Sequence, residues 1–116
     1  NTPLQALVLM NDVQFFEAAR KFAEKIMHKG GKELNEKLNY AYRTVLGRRP
    51  TETESKSLLN LYNEHLSEFS KNKETAKEIL RSGESIVDES LDQTQLASWT
   101  MITHLILNLS ETVTKG

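Results

Sequence analysis

The stretch that most constrains how this chain can fold is the apolar run at residues 96–109, LASWTMITHLILNL. Ten of its fourteen positions are apolar in character: Leu96, Ala97, Trp99, Met101, Ile102, Leu105, Ile106, Leu107, Leu109 and, through its methyl, Thr100. Asp92 stands ahead of the run as an N-cap, and Gln95 follows three residues later, the pattern of a helix start. A helix that is apolar on nearly every side needs protein on every side. The expectation is therefore a central helix at about 93–109 with the other helices wrapped around it. The run is too short to span a bilayer and includes His104, so no membrane span is expected.

The rest of the chain is consistent with that demand. Its 116 residues suffice for one domain with one core. Hydrophobic residues make up 38% and charged residues 27%, the balance of a globular chain rather than a disordered one. Gly and Pro number only five and two, and no stretch alternates apolar and polar as a strand would. The expected class is all-α: an irregular bundle of about five to six helices around the central apolar C-terminal helix, one domain over residues 1–116. The chain opens at Asn1 without Met, so it is read as the C-terminal fragment of a longer protein, with any signal peptide cut away.

Element by element, Thr2-Pro3 is a helix start, Thr as cap and Pro at the first helical position, followed by a short apolar helix at 3–10. Asp12 can cap the next helix, about 13–29, with Phe15, Phe16, Ala19, Phe22, Ala23, Ile26 and Met27 on one face. Gly30-Gly31 ends it. A third helix is expected over 32–46, with Gly47 as its stop. A fourth runs from Thr51, which forms a T-x-x-E capping box with Glu54, to about Lys71. A fifth covers 73–82 and ends at Gly83. Residues 83–92 read as an acidic loop, and the polar, β-branched tail at 110–116 is expected to fray or to need a partner.

The chemistry legible in the residues is mostly exclusion. With no cysteine there is no disulfide, no thiolate nucleophile or thiolate zinc site, and no C-x-x-C-H haem attachment. His28, His65 and His104 lie on three helices, and the residues three before them are Lys25, Tyr62 and Met101. The Glu-x-x-His pattern of di-metal bundles is therefore missing, as is H-E-x-x-H, and satisfied or solvated histidines are expected. There is no G-x-S-x-G elbow and no phosphate loop. The acidic loop, with Glu84, Asp88, Glu89 and Asp92, lacks EF-hand spacing; capping by Asp92 and solvation are expected there. Arg48 and Arg49 could grip a phosphate; the favoured reading is that one of them ties the 47–50 turn to a carbonyl or carboxylate. Trp99 is read as core.

Charge is unevenly distributed. Between residues 20 and 49 nine Lys/Arg face three Glu, a local +6, while the remainder carries six basic and thirteen acidic residues, a local −7, for a net −1. Basic and acidic helix faces side by side are expected. A helix-turn-helix reading of 32–71 is disfavoured, because its second helix carries Glu52, Glu54, Glu64 and Glu68 where a recognition helix should be basic.

Four segments carry a resemblance: NTPLQALVLMND at 1–12, YRTVLGRRPTETE at 42–54, SGESIVDESLD at 82–92 and LASWTMITHLILNLSE at 96–111. Together, and in this order, they resemble the C-terminal part of the PSD1 / DUF1553 family, large proteins of Planctomycetes and related or marine bacteria. Two positions depart from the family pattern: Val13 where a Pro often follows the N-D turn, and Thr112 where an aromatic usually follows L-N-x-x-E. The resemblance implies an exported protein with DUF1549 and c-type cytochrome domains upstream, so a haem belongs to those domains and no cofactor to this fragment. It supplies no catalytic residue.

Three functional readings are carried forward. The first is a non-catalytic structural or interaction module whose partner is the upstream part of the same chain or another protein, with weak homo-oligomerisation as a further expectation; Leu4, Leu7 and Val8 of the first helix are its candidate contacts. The second is an accessory part of an enzyme, redox or polysaccharide-related, to which Arg48, Glu84 and Asp88 would lend side chains at one pocket. The third is a weak binder of nucleic acid or anionic glycan through the basic 20–49 region, nucleic acid being the less favoured ligand.

Overall fold

A computed structural model describes residues 13–81, 83 and 85–115, and of 13–15 and 111–115 the backbone alone. Among the described residues there are five helices and no strand: α1 Val13–Lys29, α2 Leu34–Leu46, α3 Glu52–Lys71, α4 Lys73–Leu80 and α5 Gln93–Lys115. The expected helix at 3–10, the Asp12 cap and residues Leu4, Leu7 and Val8 lie outside the described residues.

The helix starts follow from local chemistry. At α3 the Glu54 amide donates to Thr51 Oγ1 (3.1 Å) and the Thr51 amide to Glu54 Oε1 (2.8 Å), the expected capping box. Asn72 ends α3 and caps α4, accepting from the Thr75 amide at 3.4 Å. Asp92 Oδ1 accepts from the Gln95 amide (3.0 Å) and the Thr94 hydroxyl (2.7 Å) at the start of α5. α2 begins two residues later than expected, because Glu33 is extended at φ −87°, ψ 153° and serves as its cap. It stops at Gly47, in the left-handed region at φ 72°, whose amide returns to the Arg43 carbonyl.

α5 is the centre: it contacts each of the other four helices. Every residue from 96 to 104 is buried, so the enclosure expected from the apolar run holds over its first turns. Trp99 packs against Tyr62 of α3 with ring centroids 4.9 Å apart. The hydroxyls trapped in this helix are satisfied: Ser98 and Thr100 donate to the carbonyls four residues back, Thr94 and Leu96. Thr103 donates across to the Ala19 carbonyl of α1 at 2.8 Å. Ala19 and Ala23, both fully buried, supply the small surface that lets the two helices approach this closely.

Two expectations about α5 need correction. It does not stop near 109 but continues to Lys115. Thr112, Val113 and Thr114 each weaken a helix by only a few tenths of a kcal/mol, and with the helix already nucleated nothing breaks it before Gly116. The enclosure also opens toward this end, where Leu109 is 40% exposed.

Nor are the histidines all solvated or fully bonded. His65 is buried against Phe69, one turn away on the same helix, with ring centroids 5.9 Å apart, and its Nε2 has no hydrogen-bond partner among the described residues. Burial holds its imidazole below the ordinary value, so it packs as a neutral aromatic ring. His104 is buried in α5 beside Phe16 of α1, with its Nδ1 3.2 Å from the Asn108 amide.

Candidate functional site

The side chains that converge from distant parts of the sequence lie where α1 meets the loop between α4 and α5. On α1, Glu17, Arg20, Glu24 and His28 are spaced by three, four and four residues, so they form one stripe along the helix. All four reach the loop. The Ser85 amide donates to Glu17 Oε2 (2.6 Å) and the Asp88 amide to Glu24 Oε2 (2.9 Å). His28 Nε2 lies 2.7 Å from Asp88 Oδ2, and Asp88 Oδ1 accepts from the Ser90 amide and hydroxyl.

Arg20 is the centre of this brace. Only 1% exposed, it donates to Glu24 (2.9 Å), to the Ser85 carbonyl and hydroxyl (3.1 and 2.5 Å) and to the Ile86 carbonyl (3.4 Å). A buried guanidinium costs several kcal/mol in lost hydration, and carboxylate and carbonyl acceptors together offset that cost. Its Nε has no partner among the described residues. Gly83 is required by the same contact: its φ is +86°, and an added Cβ would stand 2.8 Å from the Glu17 Cβ and closer still to its carboxyl group. It therefore lets α1 come close, rather than ending α4 as expected; that helix ends at Leu80, with Arg81 as its cap.

Electrostatics follow the contacts. The Ser85 side chain, then its amide, holds the Glu17 carboxyl below its ordinary value. The Ser90 hydroxyl and then His28 bring Asp88 down to about 2. Asp88 is thus a bonded member of the brace, not the solvated carboxylate expected. Asp92 caps as expected, and Glu84 lies outside the described residues.

Arg48 belongs elsewhere. Its two terminal nitrogens meet the two oxygens of Glu54 at 2.8 and 3.0 Å, and its guanidinium stands 5.3 Å from the centroid of the Tyr42 ring. This fork, and then the Thr51 amide, draw Glu54 down to about 2. The L-G-R-R-P-T-E-T-E segment is therefore a turn locked by Arg48 and the capping box. Arg48 and Asp88 share no partner.

Sequence reading missed Glu17, Arg20, Glu24 and Ile86. The stripe's spacing was visible, but its partner lies more than sixty residues away in the chain. Ile86, beside the carbonyl that Arg20 holds, is 92% exposed. A neighbouring cleft of about 290 Å³ is lined by Lys77, Leu80, Arg81, Val87, Glu89 and Gln93. A wider one, about 510 Å³, lies between α4 and the start of α5, lined in part by Lys73, Lys77 and Asp92. Among the described residues no group of three His, Cys, Asp or Glu side chains could hold a metal ion, and no helix is long and apolar enough to cross a membrane.

Replacing Arg20 by Met removes the cation but leaves the Glu24 carboxylate and two carbonyls without their donor. Unfolding in urea should show a loss of about 3–5 kcal/mol, against less than about 0.5 kcal/mol for the exposed Arg43→Met. Acid gives a second check. Asp88 has a lowered pKa, so its contribution is complete above about pH 4 and is lost as pH falls toward 2. The lowered Glu17 acts in the same direction. A carboxyl-carbon NMR titration of Asp88 should show a midpoint near 2; a midpoint at the ordinary 3.8 would mean that the His28 and Ser90 contacts do not form.

A model of the PSD1 family, described as a protein of unknown function (DUF1553), matches residues 1–62. That span takes in α1, α2, the Arg48 turn and half of α3. No curated protein and no solved structure matches the chain. The match extends over more than half of the chain, through the helix that carries Glu17, Arg20, Glu24 and His28, and the chain therefore belongs to the PSD1 (DUF1553) family.

Proposed function

We propose that this chain is a non-catalytic interaction module of a longer, exported bacterial protein. The observation that carries this reading is the braced loop. A buried arginine and two glutamates hold the backbone on either side of Ile86, and that side chain is left 92% exposed. Loops held this firmly lose little further entropy on binding, and an apolar side chain kept in water is a ready anchor. The candidate reactive groups Asp88 and Arg48 are engaged in separate structural contacts, which favours a structural over a catalytic role. Export is supported by the resemblance of the four motifs to an exported family.

A photo-crosslinking amino acid in place of Ile86, in the native polypeptide in its own host, tests the reading. Crosslinks to a defined protein surface, in the same polypeptide or another, are expected well above the yield from the same group at the exposed Lys56. A yield no greater than that control would overturn the proposal.

One observation favours a second reading, a weak binder of anionic glycans. Glu17 and Glu24 are turned to the loop, so the exposed side of α1 keeps Lys21, Lys25 and Lys29, none of them ion-paired among the described residues. Their spacing of four residues places charges about 6 Å apart along the helix. Retention on heparin at low salt, weakening steeply as salt rises and abolished by Lys→Gln at the three positions, is the expected result; flow-through at low salt would dismiss it.

A further inference from the structure

We infer that the partner of the braced loop is a second copy of this chain, joined by a two-fold exchange of Ile86 into the cleft beside it. This rests on the interaction-module reading and names its occupant. Three observations carry it. First, the knob and a socket are neighbours. Ile86 stands in solvent, and the next residue, Val87, forms with Leu80 the apolar floor of a cleft of about 290 Å³. A cavity of about 150 Å³ already accepts a benzene ring, so the cleft has room for a branched aliphatic side chain. Second, a knob beside its own kind of socket is self-complementary about a two-fold axis. Each copy gives one Ile86 and receives one, and the contact closes at two. Third, the charges match across such an axis. The loop side of the cleft carries Glu89, and the α4 side carries Lys77 and Arg81, all exposed. Turning one copy over the other sets the loop of each against α4 of its partner, acid against base.

The brace excludes the copy's own Ile86 as the occupant of its cleft. Arg20 holds the Ile86 carbonyl, and the Ser85 and Asp88 amides are fixed by Glu17 and Glu24. The loop cannot fold its own isoleucine back into the cleft without breaking those bonds. The contact is small, one aliphatic anchor and one charged pair per copy, so a weak dimer is expected.

Sedimentation equilibrium of the 116-residue chain, from micromolar to about 1 mM, tests the inference. A reversible monomer–dimer equilibrium is expected, weakened by high salt. Ile86→Glu should raise its dissociation constant at least about tenfold. Because Ile86 is 92% exposed, helix content and thermal midpoint should not change. Arg81→Glu should weaken the dimer as well, and adding Glu89→Lys in the same chain should restore it by inverting both members of the pair. A strict monomer at about 1 mM would overturn the inference, and so would a dimer indifferent to Ile86→Glu. If the chain stays monomeric while position 86 crosslinks to a different polypeptide, the second copy is ruled out and the interaction-module reading stands.

Discussion

A helix with no polar side cannot lie on a surface, and α5 sets that constraint for everything else. From Leu96 to His104 each side chain is buried, so the enclosing helices must cover it all round. Each of the four does so with one amphipathic face. At α1 the contact is made by buried alanines, and Thr103 reaches the Ala19 carbonyl. At α3 the large rings of Tyr62 and Trp99 meet. Close-packed interiors penalise voids, so each contact is filled by side chains of fitting size. The buried hydroxyls of Ser98, Thr100 and Thr103 do not spoil the apolar character of α5, because each donates to a carbonyl.

Among the described residues, four helices around α5 still leave a long connection from α4 to it, and here the fold uses charge rather than hydrophobic burial. An irregular loop has amides and carbonyls without a ladder to satisfy them. The stripe on α1 supplies what is missing: carboxylates for two amides and a guanidinium for two carbonyls. The arginine is buried because the loop lies over it, and the loop stays in place because the arginine is there. Neither would be stable alone: a bare buried cation is costly, and so are unbonded backbone groups.

The brace has consequences on both sides of α1. Toward the loop it fixes the backbone around Ile86, so an apolar side chain remains in water. Along α1 it engages Glu17 and Glu24 with the loop, while Lys21, Lys25 and Lys29 stay exposed in a row beside them. A net charge of −1 over the chain conceals this sorting, because it arises from which way side chains turn and not from how many there are.

The residues alone determined the helical class, four of the five described helices to within two residues at each end, the caps at Thr51 and Asp92, and the centrality of the Trp99 segment. Those features depend on spacing and on contacts within a few residues, which a linear reading preserves. The tail at 110–115 was misjudged because an established helix carries weak formers along with it. What only the tertiary structure decided was the role of the polar residues. Glu17, Arg20, Glu24 and His28 form a regular stripe that a solvated helix face would also show, and Asp88 looks like any carboxylate in an acidic loop. Whether such groups face water or one another depends on two segments more than sixty residues apart being brought together. Packing around α5 does that, and no local pattern records it.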